Sequence, residues 1–218
     1  KVGLMDADIY GPSIPQMMGA QGPLEQNDEG LIKPLVSHGV RLVSVGFISG
    51  QSDAIIYRGP LVGKMVKRFI GEVDWGELDI LLVDLPPGTG DAQLSLCQTV
   101  PLDGGVIVTT PQEASVGVVR KGIAMFQKVN VPILGMVENM SYFTTPTGER
   151  VEIFGNGGGK SECERKGIPF LGQVPLFTEI REGGDSGVPV VVSSPETSAG
   201  KCFMSIAGIL KNQWMPES

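Results

Sequence analysis

Residues 80–91 read Ile-Leu-Leu-Val-Asp-Leu-Pro-Pro-Gly-Thr-Gly-Asp. Four apolar residues running into Asp84 are the pattern of a buried parallel strand that carries a carboxylate to the carboxyl edge of a sheet. Pro-Pro-Gly-Thr-Gly cannot continue that strand and must form a sharp loop. A strand-end Asp of this kind can hold a water of a Mg²⁺ shell, and the loop after it can sense a terminal phosphate. Asp6-Ala-Asp8 repeats the arrangement after Val2–Met5. Two carboxylates at i and i+2 past a strand end can serve one metal–phosphate site. One faces the water shell; the other orients or deprotonates the attacking water. Alone, the pair would read as solvated loop acids; beside Asp84 it reads as a site.

Other motifs carry less. Gly155-Asn-Gly-Gly-Gly-Lys160-Ser161 looks like a phosphate-binding loop, but Phe154 stands where that pattern requires glycine six places before the lysine. It reads as a flexible glycine loop entering a helix, with backbone amides at the helix start as its one route to phosphate. Asn139, past a strand, can read adenine through an amide that both donates and accepts, although such an Asn is more often a turn residue. Cys97 sits on a helical apolar pattern with Leu94 and Leu96 and reads as core. Trp75 reads as a packing residue at a helix end.

These groups need elements to position them. Strands are expected at Val2–Met5, Leu31–Val36, Val40–Phe47, Ile80–Val83, Gly105–Thr109, Ile133–Val137, Val151–Phe154 and Phe170–Val174, with the second and third paired across Ser37–Gly39. Gly59-Pro60 opens a helix to about Val73 with a stripe of Leu61, Met65, Phe69 and Ile70. Further helices are expected from Asp91, as cap, to about Thr99, from Ser115 to Val129 (apolar at Val116, Val119, Ile123 and Phe126), over Gly158–Lys166 and over Glu196–Gln213. Strands alternating with helices give a doubly wound, mostly parallel α/β sheet with helices on both faces, whose ligands bind outside the carboxyl ends of the strands. Those ends offer Asp6, Asp8, Asp84, Thr109-Thr110-Pro111-Gln112, Glu138-Asn139 and Pro175-Leu176. This is Mg-nucleotide chemistry rather than an apolar ligand pocket.

Composition sets the outer bounds. The 218 residues suit one large domain, and 41% hydrophobic with 19% charged residues is ordinary for such a fold. A net charge of −7 argues against non-specific nucleic-acid binding. No apolar run approaches the ~20 residues of a membrane span. Cys97, Cys163 and Cys202 are far apart, and their odd number suits neither a disulfide framework nor a self-contained metal site, so reduced cytoplasmic thiols are expected. His38 is the single histidine, which disfavours a His-based metal site or triad. The chain opens at Lys1 directly in a strand, and the expectation is that an N-terminal part is missing.

Taken together, Asp6-Ala-Asp-Ile-Tyr-Gly-Pro-Ser-Ile-Pro15, Asp74-Trp-Gly-Glu-Leu-Asp79, Val83-Asp-Leu-Pro-Pro-Gly-Thr-Gly-Asp91, Thr110-Pro-Gln112, Glu138-Asn-Met-Ser-Tyr-Phe143 and Ile153-Phe-Gly155 with Gly157-Gly-Gly159 resemble one group. They are similar, essentially end to end, to the Mrp/ApbC-type iron–sulfur cluster carrier ATPases of the deviant P-loop, MinD/ParA-like class. The resemblance implies a cytoplasmic homodimer that hydrolyses ATP with Mg²⁺, carries a [4Fe–4S] cluster and exchanges it with apo iron–sulfur proteins and the cluster-assembly machinery, without nucleic acid or membrane.

By position, the resemblance makes Asp8 the carboxylate that positions the hydrolytic water, and Asp6 and Asp84 outer-shell Mg²⁺ residues. Gly88, Thr89 and Gly90 become a switch loop, and Asn139, Pro175 and Leu176 the adenine pocket. It also implies that residues 1–218 form a single nucleotide-binding domain lacking its first strand, phosphate loop and first helix, with an uncovered sheet edge and no ATPase activity by itself. The family's Cys-x-x-Cys has no counterpart: Thr145-Pro146-Thr147 stands there, one residue shorter, and Cys163 is the nearest thiol left for a cluster. That absence favours a MinD/ParA-like switch that positions a partner without a cluster. The Asp6–Ser13 and Pro86–Asp91 segments favour the carrier. A non-catalytic interaction domain is the third reading.

Overall fold

The computed structural model describes residues 1–47, 59–88 and 90–214. The chain divides into two units, Lys1–Pro101 with Gly184–Val188, and Leu102–Gly183 with Pro189–Ser218.

In the first unit, β1 (Val2–Asp6) is hydrogen-bonded in parallel to β3 (Val40–Ser44) on one side and to β4 (Ile80–Asp84) on the other. β2 (Leu35–Ser37) joins β3 antiparallel, giving the order β2-β3-β1-β4. The β2–β3 turn places His38 and Gly39 at φ 50° and 79°, the left-handed pair that a tight hairpin requires. β2 is shorter than the apolar run from Leu31 predicted, because Pro34 has no N–H to give a ladder; Ile32 makes only isolated bridges to Gln26 and Val73. β3 stops at Ser44 and turns into a 3₁₀ segment, Val45–Phe47.

Helix α1 (Ile14–Met17) interrupts the first loop, and α2 (Gly59–Glu72) and α3 (Asp91–Thr99) pack on each other. Of the predicted α2 stripe, Phe69 is fully buried together with Val66, whereas Ile70 is exposed. Met5, Leu42, Val43 and Leu96 complete this core. Trp75 is buried just after α2 and donates its indole N–H to the Phe69 carbonyl at 2.9 Å.

In the second unit, β6 (Ile133–Thr144) lies parallel to β5 (Gly105–Thr109) and to β8 (Phe170–Leu176), and its far end pairs antiparallel with β7 (Arg150–Val151). β6 is longer, and β7 shorter, than expected. Helix α4 (Glu113–Lys128) lays Val116, Ile123 and Phe126 into the core; a Cβ on Gly105 would sit 2.8 Å from the Phe126 ring, so glycine lets α4 close on β5. α5 (Gly158–Lys166) falls where the sequence placed it. α6 (Thr178–Ser186) and α7 (Val190–Ser193) were not anticipated, and α8 (Ser198–Trp214) packs Ile206 and Leu210 on Val137, Leu171 and Val174.

The mostly parallel α/β organisation expected from the sequence is present, and its described strands are hydrogen-bonded as two sheets. Among the described residues β4 pairs only with β1, and β5 only with β6, so each sheet ends on an unpaired parallel edge. Leu82 on β4 and Val106 and Val108 on β5 remain exposed, although strands of parallel sheets are normally covered on both faces.

Candidate functional site

Asp6 and Asp84 are register partners at the carboxyl ends of β1 and β4. Paired positions of neighbouring strands project to the same face, so the two carboxylates leave one sheet edge together. The chain beyond β1 is held down by its own acids: the Ala7 N–H donates to the Asp84 carbonyl at 2.9 Å, the Asp8 N–H to Asp6 Oδ1 at 3.1 Å, and the Tyr10 N–H to Asp8 Oδ1 at 2.9 Å. Asp6 is completely buried and also accepts the Ser44 hydroxyl on Oδ2 at 2.7 Å. Asp8 is half-buried; Asp84 opens to solvent.

Burial raises the Asp6 pKa and the nearby Asp8 charge adds to it, against the Ser44 hydroxyl and the Asp8 and Ile14 amides, which stabilise the anion. Asp84 is pushed up to about 6, first by the protein packed around it although its side chain reaches water, then by the Asp6 and Asp8 charges. Among the described residues no cation compensates Asp6 or Asp84. Asp6 and Asp84 at one strand-end level, with Asp8 close enough to raise the pKa of both, suit contact with the water shell of a hard divalent cation such as Mg²⁺ rather than direct ligation.

The loop after β4 turns at Gly88, whose φ of 98° favours glycine. Thr89 lies outside the described residues. Gly90, not Asp91, occupies the cap position of α3, with no side-chain cap. The sequence reading missed Gln93, which is buried and donates its amide to the carbonyls of Pro86 and Pro87 at 2.9 and 2.8 Å. It also missed Ser44. A glutamine three residues past a cap position was the available signal for the first; Ser44 carried none until β3 was in register with β1.

In the second unit, Asn139 on β6 is in register with Val174 on β8, next to Pro175 and Leu176, so these three residues share one end of that sheet. Asn139 Oδ1 accepts the N–H of Met140, which leaves the side-chain amide nitrogen as donor; Met140 itself has a φ of 51°, where the β6–β8 register slips. Glu138, next in the strand, is fully buried. Its Oε2 accepts the Gly159 N–H at 2.7 Å and its Oε1 the Gln173 side-chain amide at 2.8 Å. The helix start that resembled a phosphate loop is thus closed by the protein's own carboxylate. The glycines there serve packing: a Cβ on Gly158 would lie 2.1 Å from the Pro111 carbonyl oxygen, and Gly157 has a φ of 67°.

The residues present do not fit an iron–sulfur cluster held by this chain's thiolates. Thr144–Gly148, standing where the thiolates would be, folds into a closed turn: Thr145 N–H to Glu149 O at 2.8 Å, Gly148 N–H to Thr145 O at 2.9 Å, and the Thr145 and Thr147 hydroxyls 2.8 Å apart. Cys163 is buried in α5 against the Pro169 carbonyl, and its thiol is pushed up to about 11 by burial and by the charges of Glu162, Glu138 and Glu164. A protonated, enclosed thiol is a poor iron ligand. Cys97 is buried and Cys202 half-buried, both with raised pKa through burial. Among the described residues no group of three or more His, Cys, Asp or Glu is placed to hold a metal ion. No helix among them is long and apolar enough to cross a membrane.

The fold of this chain matches solved structures. A solved nucleotide-binding protein from Archaeoglobus fulgidus, in complex with ADP, is 38% identical with a TM-score of 0.77, over 91% of this chain and 77% of that one. MinD from Pyrococcus furiosus, 20% identical with a TM-score of 0.71 over 98% and 86%, shares the fold. The iron–sulfur cluster carrier protein of Synechocystis is 47% identical over 212 residues, 94% of this chain and 60% of that protein. The iron–sulfur cluster transfer protein NUBPL of Dictyostelium discoideum is 47% identical over 209 residues, 94% and 65%. The chain thus spans less than two thirds of the length of these relatives. The ParA-type family described as NUBPL iron-transfer P-loop NTPase matches residues 1–211, and the chain belongs to that family.

Proposed function

We propose that the protein binds and hydrolyses ATP as part of iron–sulfur cluster delivery, acting as a homodimer on apo-proteins and the cluster-assembly machinery in the cytoplasm. The observation that carries the reading is that Asp6, Asp8 and Asp84 lie together at one sheet edge with no compensating cation among the described residues. Bound Mg²⁺ would neutralise charge on the phosphoryl group in flight. Asp84 and Asp6 would hold that cation through its bound water. Asp8, anchored through its N–H, takes a hydrogen bond from the attacking water. Gly88, Thr89 and Gly90 follow the γ-phosphate, with Gln93 fixing the base of their loop. Asn139 reads the adenine, beside Pro175 and Leu176.

The two units belong to one nucleotide-binding domain in this reading. The phosphate-cradling amides come from outside Gly155–Ser161, since Glu138 already occupies that helix start. Residues 1–218 alone are therefore expected to bind ATP poorly and to show no turnover; measurable hydrolysis by this chain would overturn that part.

A second reading has its own support. The closed Thr144–Gly148 turn and the enclosed cysteines favour an ATPase switch that positions a partner without itself holding a cluster. Iron and sulfide analysis of the full-length protein after anaerobic reconstitution separates the two. Cluster loading supports the carrier. Intact Mg²⁺-dependent hydrolysis with no loading supports the switch. Absence of hydrolysis in the full-length protein contradicts both.

A further inference from the structure

We propose that Ser44 is a positioning residue of the carboxylate site, which through a buried clamp on Asp6 fixes where Asp8 stands. The proposal deepens the hydrolase reading above and rests on it. Ser44 ends β3 in register with Asp6 on β1, and both residues are fully buried. Its hydroxyl accepts the Gly46 N–H at 2.9 Å and donates to Asp6 Oδ2 at 2.7 Å. A hydroxyl has one proton, and here that proton is aimed at Asp6. The other Asp6 oxygen accepts the Asp8 N–H at 3.1 Å, and Asp8 Oδ1 accepts the Tyr10 N–H at 2.9 Å. Two arms of donors therefore converge on Asp6: Gly46 through Ser44 reaches Oδ2, and Asp8, itself accepting from Tyr10, reaches Oδ1.

The clamp has a physical reason. A buried carboxylate beside like charges is costly unless its oxygens are satisfied. Without the Ser44 donor, Oδ2 must seek another partner, and the carboxylate turns. The Asp8 amide hangs from the same carboxylate, so Asp8 moves with it. A sub-ångström misplacement of the group that orients the attacking water lowers turnover more than it lowers nucleotide affinity, because the nucleotide is held mainly by other groups.

The test compares Ser44→Ala, Ser44→Thr and Ser44→Cys in the full-length protein, by steady-state ATP hydrolysis with Mg²⁺ and by amide hydrogen exchange. Ser44→Ala is expected to lower kcat roughly 10- to 100-fold while KM for MgATP stays within about twofold. Exchange at the Asp8 and Tyr10 amides should accelerate in that variant. Ser44→Thr keeps the hydroxyl and should recover kcat to within about threefold of wild type. Should Ser44→Ala not fold, Ser44→Cys, with a similar shape and a weak donor, should show the same loss in kcat. Unchanged kcat, an effect on KM alone, or a Thr variant no better than Ala overturns the proposal. A wild-type protein without hydrolysis contradicts the functional reading instead; the exchange at Asp8 and Tyr10 then decides whether the clamp exists.

Discussion

Buried or crowded acids occur in both units, and they are handled in opposite ways. In the second unit, Glu162 is buried but accepts Arg120 Nε and Arg165 Nε, each at 3.0 Å. Burial alone would raise its pKa; the hydrogen bonds from Arg165 and Arg120 overcome that and lower it. Glu138 is satisfied by the Gly159 amide and Gln173. In the first unit, Asp6 and Asp84 have raised pKa and no compensating cation among the described residues. The Glu162 and Glu138 arrangements are satisfied within the protein; the Asp6 and Asp84 arrangement is the one proposed to take a cation. Compensation, rather than acidity or glycine content, separates the structural acids from the candidate site.

The largest expected effect falls on the uncompensated side. Asp84→Asn in the full-length protein should reduce Mg²⁺-dependent ATP turnover by roughly 100-fold or more, the scale on which removal of one electrostatic stabiliser acts. An Asp84→Asn variant that turns over ATP at the wild-type rate would erase the contrast between the two acid clusters.

On the compensated side the effect should be on stability. Glu162→Ala leaves Arg120 and Arg165 without their shared partner. Removing one member of a buried pair costs about 3–5 kcal/mol, and because the arginines are 40% and 52% exposed the expected loss is nearer about 1–3 kcal/mol. Urea unfolding measures it; a neutral result would mean that Glu162 is no more integral than a surface acid. Gly158→Ala should cost a similar about 1–3 kcal/mol through overpacking against Pro111.

The pH dependence should also differ in sign. In metal-free protein the Asp84 pKa is raised from 3.8 to about 6, so between those values the native state holds a proton that the unfolded chain does not. Stability from this group therefore increases as pH falls through that window and is lost as pH rises past about 6. The lowered Glu162 pKa acts the other way: its contribution is complete above the unfolded value of 4.5 and is lost as pH falls through the folded value. Thermal melts of wild type and Asp84→Asn should show the variant the more stable at neutral pH, the gap closing as acid or Mg²⁺ is added. A gap that widens in acid would reverse the assignment. The smallest effect is expected at Lys160: Lys160→Ala should leave nucleotide affinity within about twofold, since the helix start beside it is already closed.

Most of the fold was legible because apolar runs ending in acids, and helical stripes such as Val116–Phe126, carry their own period. The glycine loop running into helix α5 was also legible, since Phe154 stands where a phosphate loop requires glycine. Other features depend on tertiary pairing. The separation into two sheets turns on what β4 and β5 do not pair with. The orientation of α2, with Val66 rather than Ile70 inward, is set by what packs on it. The Ser44–Asp6 and Gln93–loop bonds join residues whose meeting depends on strand register and loop closure. The resemblance offered Cys163 as a thiol, but only packing shows that it is enclosed.

The most direct test is a crystal structure of the full-length protein with Mg²⁺ and a non-hydrolysable ATP analogue. The account predicts the cation's bound waters hydrogen-bonded to Asp84, with Asp8 directed at the γ-phosphate and Asp6 still clasped by Ser44. A cation coordinated elsewhere, with Asp8 and Asp84 facing bulk solvent, would contradict it.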